Sequence, residues 1–151
     1  MDRKWLRLCG WMLLGMIMLS GCSENKNEEE AKNFVQNYCS VMQDAYARAD
    51  LNIIGTMTTE NEIKKLFPII QALTATDNRM KTEIIEFKLK KAKVSGDKAT
   101  VRTAEKWRFW WVDKTSGTIT KPKSEESYKL EYNLVKDHGQ WKVDFVKNLN
   151  E

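Results

Sequence analysis

The chain is poor in the residues that carry metal and nucleophile chemistry. Its 151 residues include one histidine and three cysteines, and these have none of the spacings that zinc demands. The histidine, His138, stands in Asp137-His138-Gly139-Gln140, which reads as a turn. No glycine-rich phosphate loop follows a strand pattern, and no serine occupies a nucleophile elbow. Neither sign of charge dominates, with 25 Lys and Arg against 21 Asp and Glu. There is no basic patch or stripe of the kind that nucleic acid requires. These absences lead us to expect no metal site, no cofactor and no nucleic-acid partner.

A long hydrophobic run is missing as well. A membrane-spanning helix needs roughly 20 predominantly apolar residues. Here the apolar run covers only Leu8 to Leu19, and Gly10, Gly15, Ser20 and Gly21 thin it further. Arg3, Lys4 and Arg7 precede it. Basic residues, an apolar stretch and small residues, in that order, are the layout of a secretory signal. The stretch ends in Leu19-Ser20-Gly21-Cys22, which resembles the lipobox of bacterial lipoproteins. The resemblance implies that the Cys22 thiol takes a diacylglycerol, that residues 1–21 are removed, and that the new N-terminus is acylated. Two or more acyl chains hold a protein stably at a bilayer. The expected location is therefore the cell membrane or outer membrane, lipid-anchored on the extracytoplasmic side. In Gram-negative members an Asp after the cysteine commonly retains the protein at the inner membrane, so Ser23 leans towards the outer one.

Residues 1–21 hold three basic side chains and one acid. Of the formal net charge of +4, +2 then remains on residues 22–151. Residues 22–30 read as a lipidated tether and residues 31–151 as one domain, a length that suits a single core. With Cys9 removed and Cys22 lipidated, Cys39 is the remaining thiol and no internal disulfide can form. It reads as a small buried apolar residue.

The first half of the domain has helical periodicity. A helix is expected from about Glu28 to Ala49, with Phe34, Tyr38, Val41, Met42, Ala45 and Ala49 on one face. Thr59 and Glu62 read as a capping box for a second helix lined by Ile63, Leu66, Phe67 and Ile70. Pro68 should kink or interrupt it. Thr74 to Lys81 reads as a loop.

Period two then takes over. Ile85, Phe87 and Leu89 should face inward on the first strand. After a turn at Ser95-Gly96-Asp97, a second strand places Ala99, Val101, Thr103, Glu105, Trp107, Phe109 and Trp111 on one face. Arg108 and Trp110 fall on the other. Lys114 to Ser124 reads as an irregular loop. Tyr128, Leu130, Tyr132 and Leu134 alternate on a third strand, and Trp141, Val143 and Phe145 on a fourth. Helices followed by strands give an α+β fold, expected as two or three N-terminal helices on a curved four-stranded antiparallel sheet. The lysines of Lys88-x-Lys90-Lys91-x-Lys93 read as a solvated face that blunts an edge.

The element order and the closing stretch Tyr128-Lys-Leu-Glu-Tyr-Asn-Leu-Val-Lys-Asp-His-Gly-Gln-Trp-Lys-Val-Asp resemble the nuclear-transport-factor-two-like superfamily. They look especially like the domain that plastid-division proteins place in the intermembrane space. The resemblance implies a cone with a cleft at its wide end.

Glu105, Trp107, Trp111 and Tyr132 are the candidate cleft residues. Arg108 and Trp110 are the candidate interface, since Trp and Arg are enriched at binding hot spots. Glu105 on an apolar face must be paired, near solvent or shifted in pKa. No second catalytic group is fixed beside it, so no catalytic residue is assigned. The expected function is a non-catalytic interaction or binding module of the cell envelope, held to the membrane through Cys22 and meeting an envelope protein. The alternative is a carrier of a small apolar ligand or peptide, and an isomerase- or hydrolase-type enzyme comes third.

Overall fold

A computed structural model describes residues 21–150, with side chains from residue 26 onward. The expected signal up to residue 20 and the Cys22 side chain lie outside the described residues. The first helix, α1, runs Gly21–Arg48. It starts before the expected Glu28, because residues 22–30 hold neither glycine nor proline and their acids suit the positive end of the helix dipole. Its buried stripe is Ala31, Val35, Tyr38, Cys39, Met42 and Ala45. Tyr38, Met42 and Ala45 are on the expected face, but the stripe is rotated towards Val35 and Cys39, so Phe34 and Val41 pack only at its margin.

Ala49, expected within α1, instead ends it. The Asp50 N–H reaches the Ala45 carbonyl at 3.0 Å and the Ala49 N–H reaches that of Tyr46 at 3.2 Å. This is the Schellman pattern, which puts Ala49 at φ 52° where glycine is usual. A 3-10 turn, Leu51–Ile54, follows, with Asp50 as its cap and Ile54 fully buried.

Helix α2 spans Glu60–Thr74 and runs unbroken through Pro68. Lys64 and Pro68 are both exposed, so water can reach the carbonyl that proline leaves without a donor. Leu66, Ile70 and Leu73 face the core, whereas Phe67 is 55% exposed. Thr59 caps the helix as expected. Glu62 does not complete the box: it turns to the sheet and accepts the Val146 N–H at 3.1 Å.

Four strands, β1 (Asn78–Ser95), β2 (Lys98–Asp113), β3 (Ile119–Asp137) and β4 (Gln140–Asn148), form one antiparallel meander in the order β1-β2-β3-β4. The β3–β4 turn is tight because His138 and Gly139 both take positive φ. The strands begin earlier than expected, so only residues 75–77 and 114–118 remain as loops before β1 and β3. Pro122 fits inside β3 because the β2–β3 register slips there and β4 pairs only from Leu130 onward.

Bulges decide which side chains face inward. One between Ile84 and Glu86 sends Ile84, rather than the expected Ile85, onto the core. Another at Asp144 turns Phe145 outward, 45% exposed, and Val146 inward. The free edge of β4 is then covered by the chain itself. Val143 exchanges backbone bonds with Met57 and Thr59 at 2.8 and 2.9 Å, and Asp144 accepts from Thr59 Oγ1 and Asn61 Nδ2 at 2.7 and 2.9 Å.

An alanine in the left-handed region carries a strain that glycine lacks. Ala49→Gly should raise the unfolding free energy by about 1 kcal/mol, read from urea unfolding at unchanged slope. A loss of stability would contradict the strained cap.

Candidate functional site

Alternation on β2 sets Thr103, Glu105 and Trp107 in a row on the inner face, all at least nine-tenths buried. Tyr132 comes alongside from β3, and α1 lays Cys39 over them. Glu105 Oε1 accepts from Thr103 Oγ1 at 2.6 Å and Tyr132 Oη at 2.8 Å, and Oε2 accepts from Trp107 Nε1 at 2.7 Å. Cys39 Sγ lies 3.2 Å from Tyr132 Oη and 3.9 Å from Glu105 Oε1. No ion pair among the described residues involves Glu105. Its burial is supported by neutral donors alone. Hydrogen bonds to a charged group contribute about 1.5–3 kcal/mol each, so three together offset a desolvation cost of several kcal/mol.

The thiol and the phenol of this cluster are both held in their protonated forms. Burial pushes the Cys39 thiol up, and the Glu105 charge adds to it. Burial likewise lifts Tyr132 well above its ordinary 10.0, with Cys39 and Glu105 contributing.

Next to the cluster is an open cleft of about 290 Å³. Trp107 and Phe109 form one wall as a stacked pair with ring centroids 6.3 Å apart. Tyr132 and Leu130 from β3 and Met42 from α1 continue the lining, and Leu66 and Ile69 of α2 close the far side. Tyr38 also lines it, edge-on to Tyr132 at 6.1 Å. It is 3% exposed, and its hydroxyl has no hydrogen-bond partner among the described residues. Burial and the nearby Glu62 push Tyr38 up and bring Tyr46 to about 12. Both phenols therefore remain protonated, and both residues line the cleft.

The expected cleft residues are brought together only in part. Trp107 and Tyr132 line the cleft. Glu105 sits behind them, with its oxygens already occupied. Trp111 keeps the inner phase of β2, opposite Met80, but it stands past Phe109 towards the hairpin tip and is not on the wall; its ring centroid lies 5.1 Å from the Lys121 ammonium. Sequence reasoning missed Phe109, Tyr38, Met42 and Thr103 as parts of the site. For Thr103 and Phe109 the signal was present in the same alternation that singled out Glu105 and Trp107.

The expected interface residues lie on the outer face. Arg108 is held between Glu83 at 2.9 Å and Glu125 at 2.7 Å, a bridge across three strands. Trp110 is half-buried, with Lys123 4.9 Å from its ring centroid. Among the described residues no cluster of metal-ligating side chains occurs, and no helix is long and apolar enough to cross a membrane.

No protein family and no curated protein matches the sequence. Solved structures do match the fold. The intermembrane-space region of the chloroplast protein ARC6 superposes with a TM-score of 0.68 at 13% identity, over 81% of this chain and 95% of that one. An NTF-2-like protein of unknown function from Shewanella oneidensis gives 0.47 at 13% identity, over 78% and 98%. A ketosteroid isomerase-like protein from Erwinia carotovora gives 0.46 at 20% identity, over 82% and 98%. The ARC6 likeness bears out the α+β fold expected from the order of the elements: two helices on a four-stranded antiparallel sheet.

A group whose pKa is raised by folding stays protonated in the native state while the unfolded chain ionises. Stability from Cys39 and the buried tyrosines is thus complete below their ordinary values of 9.0 and 10.0 and is lost as pH rises beyond them. The urea midpoint should fall from about pH 9, and Cys39→Ser should delay the onset to about pH 10. The same onset in both proteins would contradict this assignment.

Proposed function

We propose that the chain is a non-catalytic binding module, lipid-anchored through Cys22 on the extracytoplasmic side of a bacterial envelope, with the cleft as its receiving site. The observation that carries the reading is an open, largely apolar cleft with the unpartnered Tyr38 hydroxyl in its lining. Its volume of about 290 Å³ is at the low end of ligand pockets, roughly 300–1,000 Å³. The occupant is accordingly a small apolar molecule, or one or two apolar side chains of a peptide, with a polar atom to meet the phenols.

A purely surface-acting module would need no such opening, and an enzyme would need a free acid or base in it. Glu62, the carboxylate that lines the cleft, is engaged by the Val146 N–H at 3.1 Å, and Glu105 meets the second requirement poorly. It is behind the wall, both oxygens accept hydrogen bonds, and the thiol beside it is held protonated. These features support binding over catalysis.

Titration calorimetry with 1-naphthol, on protein in lipid nanodiscs with empty nanodiscs as blank, tests the cleft. Ile69 is already 45% exposed at the rim, so Ile69→Arg should weaken binding roughly tenfold without lowering the unfolding midpoint. Trp110→Phe, on the opposite sheet face, should bind as the wild type does. Equal affinity for Ile69→Arg and wild type would remove the cleft from the proposal.

A further inference from the structure

We propose that the outer face of the β2–β3 hairpin tip, built around Trp110, docks on an anionic phospholipid surface. Residues directly opposite in an antiparallel pair share a face. Trp110 is opposite Lys81, Val112 is opposite both Arg79 and Ile119, and Lys123 covers the Trp110 ring. The outer face of the tip is thus an apolar strip of Trp110, Val112 and the 56%-exposed Ile119, bordered by Arg79, Lys81 and Lys123.

Its unpaired cations beside apolar side chains set this strip apart from the middle of the same face. There the cations are matched: Arg108 to Glu83 and Glu125, Lys106 to Glu125 at 2.6 Å, and Arg102 to Glu131 at 2.6 Å. Lys91 and Lys93, at the far end of β1, are also without an acidic partner among the described residues, but they stand opposite Arg102 and Thr100 rather than apolar residues. At the tip, none of Arg79, Lys81, Lys121 and Lys123 has an acidic partner among the described residues. The nearby acids are Asp77 and Asp113. Asp113 is turned into its own loop, accepting from the Thr115 and Ser116 N–H groups at 3.0 and 2.7 Å. Lys114 is tied to the Thr74 and Thr76 carbonyls at the end of α2, which holds the hairpin against the domain.

Unmatched cations around Trp and aliphatic side chains are the pattern of a membrane-interface contact, where the ring lies at the headgroups and the ammonium groups meet phosphate. The chemistry favours lipid over an acidic protein segment. Specific recognition of carboxylates draws on the rigid two-pronged guanidinium, and Arg108, the one beside Trp110, is already locked by two glutamates. What remains is mostly lysine, a point charge on a flexible stem. The proposal rests on the envelope reading for access to a bilayer.

The full chain is reconstituted in vesicles of phosphatidylcholine alone or with phosphatidylglycerol, both with acyl-brominated lipid. Flotation reports the anchor, and bromine quenching of tryptophan reports the tip. We expect flotation with both vesicle types, and extra quenching only with phosphatidylglycerol. That increment should vanish in Trp110→Phe, in Lys81→Glu/Lys123→Glu and at high salt. Quenching that is equal in both vesicle types, or that persists in Trp110→Phe, overturns the docking while leaving the anchor intact. Absence of flotation overturns both. A Trp110 response to soluble polyglutamate with none to vesicles would assign the surface to an acidic protein instead.

Discussion

The structure depends on one carboxylate buried without a cation. Glu105 can remain in the interior only because Thr103, Trp107 and Tyr132 all donate to it. Two of those donors come from its own strand, and the third fixes β3 against β2 on the inner face. Cys39, within reach of Tyr132 Oη and Glu105, adds α1 to the same cluster. An apolar core at this place would hold together with the helix slid or rotated. A polar cluster of this kind tolerates little displacement, because each lost donor leaves part of a buried charge uncovered. The same side chains, Trp107 and Tyr132, present their other surfaces to the cleft. The cleft wall is therefore rigid for a reason that lies behind it.

The opposite edge of the sheet follows from a second constraint, the need to cover β4. A bulge at Asp144 is what lets α2 do this. It places the Asp144 carboxylate at the helix start, where Thr59 and Asn61 donate to it, and turns Val146 inward. Glu62 then takes the Val146 N–H, and Lys65 donates to the Val146 carbonyl. An edge that would otherwise offer a template for another strand is closed by the helix that also forms the far wall of the cleft. At β1 the outer edge is left to lysines at 88, 90, 91 and 93, which serve the same purpose by charge.

Strand order, the inner row of β2 and the capping of α2 by Thr59 were legible in the sequence, because each rests on a local pattern. The bulges were not, and the reason is specific. Ile84-Ile85 and Phe145-Val146 are pairs of adjacent apolar residues, so either phase of a period-two pattern satisfies the sequence. Only pairing with the neighbouring strand decides between them. The partial rotation of α1 has the same origin: Phe34 and Val35 serve equally on a helical face until a partner surface selects one. The Glu105 cluster was half legible. Its place on an apolar face announced that donors were needed, and Thr103 and Trp107 followed from the alternation. Cys39 and Tyr132 belong to segments far away in the chain, and no spacing rule connects them. Trp111 keeps its expected phase on β2, opposite Met80, but stands past the end of the cleft, and alternation does not say where a cleft ends.

The two faces of β2 explain how one strand supports two separate surfaces. Its inner residues, Trp107 and Phe109, serve the cleft, whereas Arg108 and Trp110 are turned outward by the same pleat. Arg108 stitches β1, β2 and β3 together just before the cleft wall ends, through Glu83 and Glu125. That bridge separates the balanced middle of the outer face from the unbalanced tip. Beyond it the strand no longer has a helix-covered core beneath it, so its apolar residues must be shared between solvent, their own lysines and whatever the tip meets. Lysine ammonium groups over Trp110 and Trp111 are one way to keep such rings from driving self-association. The same arrangement places positive charge beside apolar area, where an anionic surface can use both at once.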